Sequence, residues 1–158
     1  LWTMLTTKKS KYVDRIYLST DSKKINDIAK KNGFSTEVLR KKKFSQSNTI
    51  TADLVVNILK NIKEKYDYFV LLQPTSPLRQ TRDIDNSLRQ IIKKNGNSLV
   101  STNKSNKKIN GAIYIQKTNY FLKKKKFNNK NILNYSMPRD RSIDIDTIED
   151  FNRSLNKQ

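Results

Sequence analysis

The chain has 158 residues and a formal net charge of +19, and it contains neither cysteine nor histidine. These absences exclude disulfide frameworks, thiolate nucleophiles, histidine bases and zinc sites built from cysteine or histidine. No run approaches the roughly 20 apolar residues that a membrane-spanning helix needs, so we expect no membrane partner. Any catalysis must therefore use carboxylates, cations, hydroxyls, amides or a metal bound by oxygen.

The excess of 33 Lys and Arg over 14 Asp and Glu has two interpretations. Such an excess is typical of nucleic-acid-binding proteins, which makes a basic nucleic-acid-binding module one hypothesis. The lysine runs at 41–43 and 123–126 lack interleaved aromatic residues, however, and no recognised nucleic-acid motif accompanies them. We therefore expect no specific nucleic-acid partner, but we expect the positive field to attract polyanions such as nucleotides.

Short apolar segments alternate with amphipathic ones along the chain. The spacing of apolar residues predicts strands at 14–19, 36–40, 68–72, 98–101, 112–116 and 142–146. It predicts helices between the caps at 20–22 and the stop at 32–33, then at 51–65, 81–95, 119–126 and 147–156. Strands separated by helices indicate one α/β domain over residues 1–158, with a mostly parallel sheet flanked by helices.

Ligands of such folds bind beyond the carboxyl ends of the strands. One of these ends carries Asp144 and Asp146. Side chains alternate along a strand, so the two carboxylates are predicted to project together, which suits a hard cation such as Mg²⁺. A structural alternative exists for Asp146, because Asp146 followed by Glu149 also fits a helix-capping arrangement.

Two other segments could bind a nucleotide. Gln73 lies in a turn fixed by two prolines, and its amide can both donate and accept, which suits contact with the edge of a base. Arg79 in the same turn could meet phosphate, or the segment is an ordinary turn with a solvated arginine. Arg40, Thr49 and Thr51 place a cation and hydroxyls at a helix start, an arrangement that suits anions, although Thr51 could simply cap that helix.

Four motifs stand in the order found in acylneuraminate cytidylyltransferases, the CMP-sialic acid synthetases and their relatives for other nonulosonic acids. They are YLSTD at 17–21, LLQPTSPLR at 71–79, NGAIYI at 110–115 and DIDTIEDF at 144–151. The resemblance covers nearly the whole chain. It implies an enzyme with a three-layer, nucleotidyltransferase-type (Rossmann-like) fold, and the family is typically dimeric, which makes a homodimer an expectation. Because the sequence contains no Cys and shows no targeting signal, we also expect a cytoplasmic protein.

The resemblance also implies an activity and the residues that perform it. CMP would pass from CTP to the anomeric hydroxyl of a sialic-acid-like sugar acid, with release of pyrophosphate. Asp144 and Asp146 resemble the family's Mg²⁺-binding, catalytic carboxylates. Gln73, Arg40, Thr49 and Thr51 stand where the family contacts the nucleotide, and Asn110 stands in the motif that borders the sugar site.

The chain departs from the family in two regions. The family opens with a strand and a Gly-rich basic loop that cradles the CTP phosphates, whereas this sequence begins inside what resembles the following helix. We therefore expect the fold to lack that first strand and loop. The family also has an arm before the NG motif, and the corresponding segment of this chain is shorter. An alternative function is accordingly a non-catalytic remnant of the family that binds nucleotide weakly.

Overall fold

The computed structural model describes residues 1–34, 51–127 and 131–155, together with the backbone of 38–39. These residues divide into two compact units, one formed by residue 1 and residues 13–65 and the other by residues 2–12 and 66–158. The prediction of one domain over 1–158 is not tested by this division. Within the described ranges, no helix is long and apolar enough to cross a membrane.

The described residues of the first unit form two helices and a short parallel strand pair. These elements are β1 (Ser19–Thr20), α2 (Lys23–Lys31), β2 (Val38–Leu39) and α3 (Thr51–Asn61). The Ser22 hydroxyl caps α2 by accepting from the Ile25 N–H at 3.3 Å, and Gly33 follows the helix with φ +76°. The predicted helices are confirmed, whereas the strand predicted at 14–19 shortens to two residues.

The second unit is a mixed sheet with helices packed on it. Its elements are α1 (Trp2–Lys8), β3 (Tyr68–Leu71), α4 (Thr81–Lys93), β4 (Ser98–Asn103), β5 (Ile109–Lys117), α5 (Thr118–Lys124), β6 (Leu133–Met137), a 3₁₀ turn (Arg139–Arg141) and α6 (Ile148–Leu155). The strand order is β3-β5-β4-β6. The helix α4 packs on β4, β5 and β6, and α5 packs on β5.

Burial follows the predicted periodicities. Three residues of α4 at helical spacing, Ile84, Leu88 and Ile91, are nearly inaccessible to solvent. They meet the apolar sides of β4 and β5, where Leu99, Ile113 and Ile115 are fully buried. On the other side of the sheet, Phe69 and Phe121 pack edge to face with their ring centroids 4.8 Å apart.

One prediction about the strands is refined and one is corrected. Three strands of the sheet, β3, β4 and β6, run in the same direction as predicted, whereas β5 lies between β3 and β4 and runs antiparallel to both. The link from β4 to β5 spans only residues 104–108, which is too short for the crossover that parallel neighbours require. The segment 142–146 is not a strand, and the parallel partner of β4 is the unpredicted β6.

Candidate active site

The mixed sheet brings three predicted motifs to one edge. The register pairs Leu71 at the end of β3 with Tyr114, so the chain beyond β3 continues toward the beginning of β5. The same edge receives the carboxyl ends of β4 and β6, which pair as Asn103 with Met137. The segment that carries Asp144 follows β6 directly. Because β5 is antiparallel to β3 and β4, the beginning of β5 lies at the edge where β3 and β4 end. This is the edge at which the sequence predicts a site.

Arg79 fixes the turn that carries Gln73. Its side chain is 3% exposed and donates to the Ala112 carbonyl at 2.5 Å and to the Gln73 carbonyl at 3.3 Å. Burial lowers the pKa of Arg79 to about 10, partly offset by the charge of Asp83, so the guanidinium remains a cation at neutral pH. The Arg79 side chain is thus a buried structural support of the turn. The expectation of a solvated or phosphate-contacting arginine is wrong.

Asn110 is held rigidly at the start of β5. Its side-chain oxygen accepts from the Ser101 hydroxyl at 2.6 Å and from the Ala112 N–H at 3.2 Å. Its Nδ2 atom is buried and has no hydrogen-bond partner within the described residues. Buried polar groups are normally paired, so this oriented donor is available for a ligand.

Gly111 is the point at which the Gln73 turn, β5 and the Asp144 segment meet. Its φ is +71°, and a Cβ at this position would lie 3.0 Å from Asp144 Oδ2 and 3.4 Å from Gln73 Oε1. The Asp144 segment is also tied to the turn by the Ile145 N–H, which donates to the Thr75 carbonyl at 2.8 Å. The structure therefore brings Gln73 and Asp144 together at Gly111, the residue that follows Asn110 in the chain.

The Asp144 carboxylate has one oxygen without a partner. Oδ1 is buried and receives no hydrogen bond within the described part of the chain. The charge reaches Tyr114, whose pKa is raised mainly by burial and secondarily by Asp144. Asp146, two residues on, is exposed. Because 142–146 is not a strand, the prediction that both carboxylates project together loses its strand basis.

The capping alternative for Asp146 is resolved by the start of α6. The Thr147 N–H donates to Asp150 Oδ2 at 3.1 Å, and the Thr147 hydroxyl accepts from the Asp150 N–H at 3.2 Å. This reciprocal pair is a capping box one residue beyond the predicted position. The Thr147 hydroxyl also donates to Asp150 Oδ2 at 2.8 Å, and this bond is the largest cause of the lowered pKa of Asp150. The cap therefore belongs to Thr147, which leaves Asp146 free of that role.

The donor set at this edge fits a magnesium ion. Mg²⁺ in nucleotide enzymes is typically held by one or two carboxylates, with waters and substrate phosphates completing its six ligands. Asp144 supplies a buried oxygen without a partner, and Asp146 supplies an exposed carboxylate. Within the described ranges no three acidic side chains are grouped so that they could together hold a metal ion, so waters or substrate phosphates would have to complete the ligands of an ion there.

A cleft of about 360 Å³ opens beside Asp144. It is lined by Arg139, Ile143, Asp144, Asp150 and Arg153. The two arginines flank the Asp144 segment from the 3₁₀ turn on one side and from α6 on the other. The cleft thus combines carboxylates suited to a cation with guanidinium groups suited to an anion.

A buried ion pair supports the Asp144 segment, and the sequence analysis did not identify it. Asp83 on α4 is 0% exposed and accepts from Arg141 Nε at 3.0 Å and Nη2 at 3.1 Å. It also accepts from the Tyr135 hydroxyl at 3.2 Å and the Gln80 N–H at 3.0 Å. This network fixes the chain three residues before Asp144.

The remaining predicted residues lie elsewhere. Arg40 and Thr49 are outside the described residues, and Thr51 opens α3 in the first unit with an exposed side chain. Gly111 lies in the NGAIYI motif at 110–115, and an isolated glycine inside a strand is a known signal of close backbone approach that could have indicated its place in the site.

Comparison with known proteins adds three findings. The family model for cytidylyltransferases matches residues 2–152. An N-acylneuraminate cytidylyltransferase from Streptococcus agalactiae serotype III (strain NEM316) is 28% identical over 169 residues, which cover 86% of this chain and 40% of that protein. A CMP-N,N'-diacetyllegionaminic acid synthase from Legionella pneumophila is 32% identical over 102 residues, covering 63% of this chain and 44% of that protein. The chain spans less than half the length of both relatives.

The fold has counterparts among solved structures. A CMP:2-keto-3-deoxy-manno-octonic acid synthetase in complex with CTP aligns with 98% of this chain and 86% of its own, at a TM-score of 0.71 and 10% identity. At that identity the likeness bears on the fold alone. It confirms the predicted α/β fold of nucleotidyltransferase type.

Proposed function

The chain belongs to the cytidylyltransferase family, and from this premise we propose that it transfers CMP from CTP to a sialic-acid-like nonulosonic acid. The acceptor is the anomeric hydroxyl, and pyrophosphate is the second product. The carrying observation is the convergence of Gln73 and Asp144 at Gly111, directly after Asn110, whose buried Nδ2 is unpaired within the described residues. The named activities of the curated relatives support the acceptor class.

In this proposal the carboxylates bind the metal ion and the amides bind the two substrates. Asp144 and Asp146 would hold Mg²⁺, which when bound would offset triphosphate charge and stabilise the leaving pyrophosphate. Asn110 donates from Nδ2 to the sugar acid, because its oxygen is already occupied by Ser101 and Ala112. Gln73 presents an amide at the same edge, where it contacts the nucleotide. No covalent nucleophile is required, so catalysis rests on positioning and electrostatics.

The other contacts of the proposal concern the phosphates. Arg40, Thr49 and Thr51 are proposed nucleotide contacts on the grounds of the motif order in the sequence. Arg139 and Arg153 line the cleft beside Asp144 and suit the negative charge of a phosphate or of the acceptor carboxylate. A cytoplasmic reaction and a homodimeric assembly are part of the same proposal.

Calorimetry of CTP binding tests the site without requiring turnover. We expect saturable binding that needs Mg²⁺ and prefers CTP to ATP, and we expect Asp144→Asn to weaken it at least tenfold. Asp140→Asn is the matched control, because Asp140 is a nearby exposed aspartate whose side chain is 62% accessible. The control removes the same charge and should bind CTP as the unaltered protein does.

The outcomes separate the three hypotheses. Binding that is equal for all polyanions, indifferent to Asp144 and abolished by salt would contradict the nucleotide site and favour a general basic surface. Specific CTP binding without pyrophosphate release, when nonulosonic acids are supplied, would indicate the non-catalytic remnant. Release of pyrophosphate with one of these acids would establish the acceptor.

A further inference from the structure

The space above Gly111 is occupied by two functional side chains. A Cβ on residue 111 would lie 3.0 Å from Asp144 Oδ2, closer than carbon and oxygen atoms ordinarily approach without a bond, and 3.4 Å from Gln73 Oε1. The carboxylate and the amide therefore lie against the backbone at the one residue of this strand that has no side chain. The φ of +71° independently favours glycine at this position.

The three chain segments around this point are fixed to one another. Arg79 joins the Gln73 carbonyl to the Ala112 carbonyl, one residue beyond Gly111. The Ile145 N–H joins the Asp144 segment to the Thr75 carbonyl. Asp83 holds Arg141 on the other side of Asp144. Since backbone on every side is tied down, a new Cβ would be accommodated by displacement of the Asp144 carboxylate, whereas Gln73 Oε1 at 3.4 Å would remain in ordinary contact.

We propose that Gly111 is a positioning residue, whose missing Cβ fixes where the Asp144 carboxylate presents its oxygens to the metal. This inference rests on the proposed function, because it requires Asp144 to hold a divalent cation. No hydrogen bond within the described residues restrains Asp144 Oδ1. Packing against residue 111 is therefore what orients the carboxylate.

Direct measurement of metal binding tests the inference without an activity assay. Mn²⁺ alone serves as the probe, and electron paramagnetic resonance reports the free ion. We expect Gly111→Ala to weaken Mn²⁺ binding at least tenfold. Gly33→Ala is the matched control for backbone strain, because Gly33 has φ +76° but follows α2, so it should bind Mn²⁺ normally with a comparable loss of melting temperature.

A second variant separates displacement from strain. Asparagine tolerates positive φ better than alanine, yet it still carries a Cβ. Gly111→Asn should therefore fold and still lose Mn²⁺ affinity, even where Gly111→Ala proves too unstable to purify. Retention of full Mn²⁺ affinity by the folded Gly111 variants would overturn the inference.

Asp144→Asn makes the two proposals distinguishable. If it abolishes Mn²⁺ binding while the Gly111 variants bind normally, the proposed function stands and the inference fails. If the unaltered protein does not bind Mn²⁺, or binds it equally after Asp144→Asn, the metal role of Asp144 fails and the inference falls with it.

Discussion

Asp83 and Asp144 both lie in the second unit, but their carboxylates differ in how completely they are hydrogen-bonded. Asp83 is fully buried and accepts four hydrogen bonds, two of them from Arg141. Asp144 has a buried oxygen that accepts none within the described residues. Burying a carboxylate oxygen without a partner costs free energy, whereas a fully bonded carboxylate recovers that cost.

This difference in hydrogen bonding indicates separate roles for two chemically identical side chains: Asp83 stabilises the fold, and Asp144 is available to a ligand. Arg141, whose pKa is raised chiefly by its hydrogen bond to Asp83, lies three residues before Asp144. The satisfied network therefore holds the chain that presents the unsatisfied carboxylate. Among the buried side-chain atoms without partners in the described ranges are Asn110 Nδ2 and Asp144 Oδ1, as expected for polar groups that are paired only when a ligand binds.

The largest expected effect on stability comes from Asp83→Asn. The substitution keeps the shape of the side chain but leaves the guanidinium of Arg141, only 13% exposed, without its buried counter-charge. Removing one partner of a buried pair typically costs about 3–5 kcal/mol. Urea unfolding followed by circular dichroism should show a loss in that range.

Asp140→Asn is the control for this prediction. Asp140 also pairs with Arg141, at 3.8 Å, but its side chain is 62% exposed. Exposed pairs contribute little, so the control should lose less than about 1 kcal/mol. Equal losses for Asp83→Asn and Asp140→Asn would show that the Asp83 network does not fix the segment.

The capping box at α6 gives a smaller effect on the other side of Asp144. Thr147→Ala removes the hydroxyl that accepts from the Asp150 N–H, and loss of such a cap costs about 1 kcal/mol. Asp146→Ala is the control, since Asp146 does not cap the helix. A larger loss of stability from Asp146→Ala than from Thr147→Ala would return the capping role to Asp146.

The same box predicts a pH dependence. The pKa of Asp150 is lowered below its ordinary value of 3.8, mainly by the bond from Thr147. A lowered pKa in the folded state contributes stability that is present above the ordinary value and lost as pH falls through the lowered one. The stability difference between the unaltered protein and Thr147→Ala should therefore shrink as the pH falls below about 4. A difference that stays constant across this acid range would contradict the capping box.

The local parts of the fold and site can be predicted from sequence. Apolar spacing gives α3 and α4, and the turn chemistry at 73–79 and the acidic pair at 144 and 146 indicate the site edge. These signals are local because a helix stripe or a turn is encoded within a few neighbouring residues.

The sheet order and the supports of the site depend on distant residues. The partner of Asp83 is 58 positions away at Arg141, and nothing in either neighbourhood marks the pair. The role of Gly111 requires knowing that Asp144 packs over it, which depends on β5 lying between β3 and β4. The antiparallel turn back at 104–108 could have been predicted, because that connection is too short for a crossover.

The smallest expected effect on stability comes from Asp144→Asn, the counterpart of Asp83→Asn. Asp144→Asn is the same chemical change as Asp83→Asn, yet it removes no hydrogen bond to Oδ1 and relieves a buried oxygen of its negative charge. We expect the free energy of unfolding to stay within about 0.5 kcal/mol of the unaltered protein, or to rise, because the folded state loses an uncompensated cost. Urea unfolding without divalent cations measures this. If Asp144→Asn lowered the free energy of unfolding nearly as much as Asp83→Asn, Asp144 would stabilise the fold and would not be an unpaired group available to a ligand.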